Sequence, residues 1–381
     1  MKTLILGGYG NFGARIARAL APQFGANLLI AGRDGPRAKA LATTLDHSVL
    51  GAEIDLSKPG FSRQLADLGV ELLIHTAGPF QAQDYAVAKA AASAGAHYID
   101  LADGRRFVCD FSQSLHATFA SAGRMAISGA STLPALSSAV IDHLCADWLH
   151  IDAIDVCIAP GQTAPRGKAT VAGVLSYCGA PIPVWCGGEW QTHHGWAKPE
   201  RVTFKRQKPR LGALCDVPDL ELFPKRYAAR QRVMFRAALE VGLTQRAFAI
   251  LATLTRRGLI PNPEKLAGFL NFSAGAFDFL GSDVGAMVLR VSGVDGAGKQ
   301  RHRAWHILAG GGHGPEIPCM AAILLAQRLA NQTVRNEPIT PGAFACASML
   351  RLSEFEPEFK RWNMVTDVVD DVMDNVVYEA V

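Results

Sequence analysis

The sequence predicts an α/β protein: a doubly wound parallel sheet at the N-terminus, then a second, mixed α/β domain, then a C-terminal segment that returns to the first domain. Two observations carry this prediction. Short apolar runs alternate with helical segments through the N-terminal part, as in a doubly wound sheet. A hairpin pattern at 284–308 indicates antiparallel strands farther along. We place the domains at 1–135, 136–310 and 311–381, the middle one with a largely helical insert at about 226–280.

The composition is that of a folded protein without a membrane span. Of 381 residues, 49% are apolar and 19% charged, which excludes a disordered chain. No run of about 18 apolar residues occurs, and the first residues lack the apolar stretch of a signal peptide, so we expect a cytoplasmic protein. The eight cysteines include no C-x-x-C pair, and we expect no metal site. A formal charge of +4 is too small to indicate nucleic-acid binding.

The charge is unevenly distributed along the chain. Residues 198–257 hold 14 Lys and Arg against 5 Asp and Glu, and residues 354–381 hold 8 acids against 2 basic residues. The basic, partly apolar segment 226–280 has three interpretations. It is a surface for a membrane or an acyl or acidic substrate, a set of helices whose arginine stems cross a core, or a partner surface for the acidic segment 354–381 across a homodimer.

A glycine-rich turn near the N-terminus is the strongest signal. Residues 2–6 form an apolar strand pattern, 14–20 a helical pattern that Pro22 and Gly25 would end, and 27–31 a second apolar strand pattern. Between the first strand and the helix, the residues Gly8, Tyr9, Gly10, Asn11, Phe12 and Gly13 satisfy G-x-G-x-x-G. Strand, glycine turn, helix and strand in this order predict a Rossmann domain that binds a dinucleotide.

Each glycine of the motif has a physical role. Gly8 permits the tight turn, Gly10 lets a pyrophosphate approach the backbone, and Gly13 lets the helix pack closely against the strands. The start of the helix offers free N–H groups and the positive end of the helix dipole to the phosphates. We therefore assign the six motif residues to cofactor binding.

The end of the second strand indicates which dinucleotide binds. Arg33 is the first charged residue there, and a guanidinium can hold a 2′-phosphate or stack on an adenine. Asp34 follows and could still reach a ribose, so NADP is favoured and NAD remains the alternative. Asp55, at the end of the third strand, either faces the adenine or caps its own loop.

Three further segments carry candidate functional residues. Ala77, Gly78, Pro79 and Phe80 follow the fourth strand and would flank the nicotinamide ribose, because ligands bind beyond the carboxyl ends of parallel strands. Asp100 and Asp103 follow the fifth strand and would serve as acid or base, or cap the next helix. His313, in a glycine-rich loop before a helix at 319–329, is the leading general-acid candidate.

These motifs together resemble the saccharopine dehydrogenase-like family of NADP-dependent oxidoreductases. The matching segments are 8–13, 31–33, 76–80, 95–104 and 128–131 with Pro134, and more weakly 312–318. The resemblance implies a Rossmann domain, a second mixed α/β domain inserted before a C-terminal return, and hydride transfer to or from a C=N, C=C or C=O group of a small molecule. The second domain would supply substrate contacts and, we expect, the contacts of a homodimer.

Two alternative functions stay open. A lipid-pathway enoyl reductase would use segment 226–280 as a membrane- or acyl-facing surface. A non-catalytic NADP-binding sensor or scaffold would use the same fold without turnover.

Overall fold

The chain folds into two compact units. A computed structural model describes residues 1–45, 47–165, 168–266, 268 and 278–370. One unit consists of Met1–Leu136 and Glu316–Met349, and the other of Ser137–Pro315 with the chain from Leu350 onward. The chain therefore leaves the first unit, builds most of the second, returns, and leaves again.

A parallel sheet forms the centre of the first unit. Its described strands, numbered along the whole chain, are β1 (Thr3–Leu6), β2 (Leu28–Gly32), β3 (Leu50–Glu53), β4 (Leu72–His75), β5 (His97–Asp100), β6 (Met125–Ser128) and β15 (Gly342–Ala345). Their spatial order is β15-β6-β5-β4-β1-β2-β3, and all neighbours are parallel. The sheet grows in both directions from β1 and β4, which confirms the predicted Rossmann fold.

Helices cover both faces of this sheet. The described helices of the unit are α1 (Asn11–Phe24), α2 (Gly35–Leu45), α3 (Phe61–Asp67), α4 (Ala86–Ser93), α5 (Arg105–Cys109), α6 (Phe111–Ser121) and α11 (Ile317–Arg335). Consecutive strand residues point to opposite faces. Leu4 and Ile5 are both fully buried, as are Leu73 and Ile74, so neither face of the sheet is open to water there.

The first helix is longer than predicted. Pro22 lies inside α1 instead of ending it, and Gly25, at φ 50°, follows the last helical residue. A proline inside a helix removes one backbone hydrogen bond. Because Leu20 and Phe24 are buried, their packing offsets that loss and holds the last turn.

The second unit is built on a mixed sheet. Its described strands are β7 (Trp148–Ala159), β8 (Pro181–Cys186), β9 (Glu189–His194), β10 (Glu200–Val202), β11 (Arg210–Leu214), β12 (Arg232–Ala238), β13 (Gly285–Asp295), β14 (Gln300–Ala309) and β16 (Val365–Asp370). The main order is β10-β11-β12-β7-β13-β14-β16, with the β8–β9 hairpin joined to β12. The pair of β7 and β12 is parallel and the other pairs are antiparallel. The described helices here are α7 (Ser137–Leu144), α8 (Lys168–Ser176), α9 (Asp219–Arg226), α10 (Gly242–Arg256) and α12 (Leu352–Arg361).

The predicted hairpin is confirmed, and the predicted helical insert is wrong in part. β13 and β14 pair antiparallel with Val288 opposite His306. Within 226–280, however, Arg232–Ala238 is a central strand, because Val233 and Phe235 are buried in the core. On the other face of the strand, Arg232 and Arg236 both pair with Asp155 of β7. The helical prediction holds for α10, and positions 267 and 269–277 lie outside the described residues.

The end of the chain also differs from the predicted domain division. Helix α11 and strand β15 do belong to the first unit. Beyond them, β16 pairs with β14, and Phe359 of α12 contacts Trp305 with ring centroids 6.0 Å apart. Residues from Leu350 onward therefore join the second unit. Among the described residues, no helix is long and apolar enough to cross a membrane.

A buried carboxyl group joins two helices of the second unit. Asp219, the first residue of α9, accepts a hydrogen bond of 2.6 Å from the Ser137 hydroxyl at the start of α7. Both residues are 1% exposed or less. Burial raises the pKa of Asp219 to about 7, and the bond from Ser137 opposes the rise. The folded state thus holds this proton at pH values where the unfolded chain, with an ordinary pKa of 3.8, has released it.

This carboxyl group gives the stability of the second unit a defined pH dependence. The free energy of unfolding should fall as pH rises from about 4 to about 7, because only the unfolded chain releases the proton in that window. Asp219→Asn should remove this part of the fall, whereas the exposed Asp67→Asn should leave it. Urea unfolding across the window measures the effect. Parallel pH profiles for the wild type and Asp219→Asn would contradict the assignment.

Candidate active site

The glycine turn follows β1 directly. Gly7 has a left-handed backbone conformation, with φ +78°. The sequence analysis had assigned the tight turn to Gly8. The N–H groups of Gly7 and Gly8 both donate to the carbonyl of Ala31, at 2.8 and 3.1 Å. The N–H of Gly10 donates to the Gly7 carbonyl at 2.9 Å. These bonds close the turn and tie it to the end of β2.

Close packing explains the remaining glycines. A Cβ on Gly13 would lie 2.4 Å from the Gly7 carbonyl oxygen and 2.8 Å from Thr76 Oγ1. A Cβ on Gly8 would lie 2.8 Å from Cγ2 of Ile30. At Gly10, which caps α1 without a side-chain hydrogen bond, a Cβ would meet only the Gly7 carbonyl oxygen, at 3.1 Å. The first N–H groups of α1 have no partner within the helix, so a phosphate can bind there.

Tyr9 forms a platform beside the end of β2. Its ring packs on Gly32 so closely that a Cβ there would lie 2.5 Å from Cε1. Its hydroxyl accepts a hydrogen bond of 3.1 Å from the backbone N–H of Asp34. The guanidinium of Arg37 lies 4.8 Å from the ring centroid, in a cation–π contact. Arg37 is a residue that the sequence reasoning missed, although its spacing of four from Arg33, at the start of a helix, was a usable signal.

The charged residues near this platform differ in whether they bond to the protein. Arg33 is exposed and makes no hydrogen bond to the part of the chain that the structure describes. The Asp34 carboxylate instead accepts the N–H of Arg37 at 3.0 Å and so caps the start of α2. Asp55 accepts from the N–H and hydroxyl of Ser57, at 3.0 and 2.8 Å, and these bonds lower its pKa. Of its two sequence interpretations, the structure shows the loop cap.

The loop after β4 divides into an inner and an outer part. Gly78 and Pro79 are exposed and Ala77 is half-buried. Phe80 is 5% exposed and packs on His75 and Phe107, with ring centroids 5.0 and 5.4 Å apart. The expectation that Phe80 flanks a ribose is therefore wrong, because its ring belongs to the core. Residues 77–79 keep the predicted position at the sheet edge.

Two polar side chains that the sequence reasoning missed fix this loop. Thr76 donates its hydroxyl to the Leu6 carbonyl at 2.8 Å, which joins the ends of β4 and β1. Gln83 donates to the carbonyls of Ala77 and Pro79, at 2.8 and 2.9 Å. The only sequence signal for Thr76 was its place directly before the turn.

Asp100 is an internal anchor. Its carboxylate is fully buried and accepts bonds from the Ser128 hydroxyl and the N–H groups of Ala102 and Gly129, at 2.8 to 2.9 Å. Burial raises its pKa to about 6, against the effect of these bonds. A group enclosed in this way cannot touch a substrate, so the catalytic expectation for Asp100 is replaced by a role in holding the ends of β5 and β6.

Asp103 lies at the surface of the same sheet edge. Its side chain is exposed and accepts a hydrogen bond of 3.1 Å from Gln81 of the preceding loop. Desolvation by the surrounding loops raises its pKa, and hydrogen bonds, one of them from Gln81, oppose the rise. The structure thus brings Asp103 to the loop of residues 77–81 and separates its surroundings from those of Asp100.

His313 belongs to the second unit. Its side chain is half-buried, and its ring lies against Trp362 with centroids 4.8 Å apart. Its N–H donates to the Gly310 carbonyl at 3.2 Å, closing the glycine loop. In the described residues, no group of three or more His, Cys, Asp or Glu is placed to hold a metal ion.

Residues 3–127 match the family model of the saccharopine dehydrogenase NADP binding domain. This match confirms the resemblance stated from the motifs and the preference for NADP. The match spans the glycine turn, Arg33 and the loops after β4 and β5, and ends within β6.

Solved structures share the fold over nearly the whole chain. Saccharopine dehydrogenase (L-Glu forming) from Saccharomyces cerevisiae has a TM-score of 0.65 at 12% identity, covering 97% of this chain and 99% of that one. The homospermidine synthase of Legionella pneumophila, solved with NAD, has a TM-score of 0.61 at 12% identity, covering 97% and 91%. A search of curated protein sequences finds no match.

The glycine packing predicts a strong effect of one methyl group. Gly13→Ala should abolish NADPH binding and destabilise the first unit by about 1–3 kcal/mol, because the new Cβ meets backbone atoms that cannot move aside. Gly242→Ala is the matched control, since a Cβ there meets nothing within 4 Å. Calorimetric titration with NADPH and urea unfolding measure both. Wild-type NADPH affinity in Gly13→Ala would contradict the proposed cradle.

Proposed function

We propose that this chain is an NADP-dependent oxidoreductase that transfers hydride to or from a C=N, C=C or C=O group of a small molecule. The observation that carries the proposal is the glycine turn: Gly7, Gly8 and Gly13 allow a packing that no Cβ would permit, and Gly10, with no side chain, leaves the start of α1 open to a pyrophosphate. The bound cofactor would donate or accept the hydride, and the protein would bind and orient the cofactor and the substrate and transfer the proton.

The surroundings of β2 favour a 2′-phosphate. Arg33 is exposed at the end of β2, and Arg37 is held one helical turn beyond by its stacking on Tyr9. The acid that would accept the hydroxyls of an NAD ribose, Asp34, is committed to capping α2. Two guanidinium groups with a capped carboxylate fit a phosphate better than a free ribose hydroxyl.

The proton carrier is proposed among the two remaining candidates, Asp103 and His313. Asp103 lies at the rim of the parallel sheet, where ligands bind in this fold. Its raised pKa suits a group that holds a proton longer than an ordinary aspartate. His313 sits in a glycine-rich loop, and histidine is the side chain that most often serves as a general acid or base. The proposal also includes a cytoplasmic location and a homodimer. Light scattering of the purified protein tests the homodimer.

Nucleotide preference tests the cofactor assignment. Arg33→Ala and Arg37→Ala should each weaken NADPH binding by about 30-fold, the loss of about 2 kcal/mol from a charge-assisted contact, and should leave NADH binding nearly unchanged. Arg63→Ala, an exposed arginine on α3, is the control. Calorimetric titration measures the affinities. Equal losses for NADPH and NADH would contradict a 2′-phosphate site.

Turnover separates an enzyme from a scaffold. With NADPH and a panel of imines, enones and carbonyl compounds, the wild type should oxidise NADPH with at least one substrate class. Replacing the true proton carrier, by Asp103→Asn or His313→Asn, should lower kcat by about 10²- to 10⁴-fold with NADPH affinity unchanged. If NADPH binds and no substrate turns over, the non-catalytic sensor is correct instead.

A further inference from the structure

The helix α10 presents an unusual combination of side chains to solvent. Leu243 and Ile250 are 61% and 62% exposed, and Arg246 and Arg257 are exposed as well. Leu243, Arg246 and Ile250, spaced three and four residues apart, lie on one side of the helix, and Arg257 directly follows its last residue. We call this set the α10 face. No acidic residue occurs from 242 to 257, so the face carries a net positive charge.

The opposite side of α10 is firmly anchored. Gln245 and Ala252 are fully buried, and Gln245 accepts the N–H of Leu239 at 2.9 Å. The ring of Phe248 lies against Trp196, with centroids 4.7 Å apart. The helix is therefore held in one rotational setting about its axis.

More exposed apolar side chains lie near the start of α10. Glu240, three residues before Leu243, accepts the hydroxyl and the N–H of Ser282, at 2.7 and 3.0 Å. Phe279 and Leu280, which are 82% and 53% exposed, precede Ser282 closely in the sequence. Leu259, just past the end of the helix, is 66% exposed. Exposed apolar side chains therefore also occur next to the contact of Glu240 and just after the end of the helix.

We propose that the α10 face rests on an anionic lipid surface. Leucine and isoleucine would enter the boundary between headgroups and acyl chains, while the arginines contact lipid phosphates, as interfacial amphipathic helices do. A second copy of the chain is a poorer occupant, because a symmetric contact would bring two positively charged faces together. The proposal is independent of the cofactor assignment.

Vesicle co-sedimentation of the full-length protein tests the proposal. The protein should bind vesicles of phosphatidylcholine with phosphatidylglycerol, bind phosphatidylcholine alone much more weakly, and dissociate from the anionic vesicles as salt is raised. Arg246→Gln with Arg257→Gln should weaken binding by about 30-fold, since each arginine near an anionic surface contributes about fivefold. Leu243→Ser with Ile250→Ser should also weaken it.

Matched controls separate the face from general surface effects. Val334→Ser removes an apolar side chain that is 83% exposed on α11, and Arg63→Gln removes an exposed charge on α3. Both should bind vesicles as the wild type does, and all variants should keep wild-type NADPH affinity. Three results would each overturn the proposal: no vesicle binding, equal binding to both vesicle types, or a change of oligomeric state in the α10 variants without a change in vesicle binding.

Discussion

The contact between the first helix and the first strand, at Gly13, is the constraint on which the nucleotide site depends. Backbone atoms of Gly7 and Gly8 and the hydroxyl of Thr76 occupy the space that any other residue at position 13 would need. Because Thr76 also bonds to the Leu6 carbonyl, the same contact sets the loop after β4 beside the glycine turn. The phosphate cradle and the sheet edge are therefore fixed together.

A second constraint concerns the placement of charge. At the sheet edge the carboxylates of Asp34 and Asp100 both accept hydrogen bonds from the protein: Asp34 caps α2 at the surface, and the buried Asp100 holds the ends of β5 and β6 together. Arg33 and Arg37 stay outside, where a phosphate can reach them. Two of the acids that the sequence suggested as ligands or catalysts thus accept hydrogen bonds from the protein itself. Asp103, by contrast, is exposed at the sheet edge, and it is therefore the acid that we propose as a proton carrier.

The parallel sheet was predictable because its central strands, such as β1, β2 and β4, are apolar on both faces and are followed by turn signals. The glycine motif was predictable for a different reason: where backbones pack this closely, no residue other than glycine fits. Strand β12 was not predictable: its arginines resembled the polar face of a helix, and their pairing with Asp155 depends on a strand far away in sequence. The inward direction of Phe80 and the burial of Asp100 likewise depend on tertiary packing that local patterns do not encode.

The most direct test of the central claim uses fragments of the cofactor instead of variants of the protein. Adenosine 2′,5′-bisphosphate and adenosine 5′-monophosphate differ only in the 2′-phosphate, and each can be titrated calorimetrically into the wild-type chain. Because two guanidinium groups face that position, the bisphosphate should bind more tightly, by about 30-fold or more. Equal affinity for the two fragments would contradict the assignment of Arg33 and Arg37, and with it the account of how this domain selects NADP.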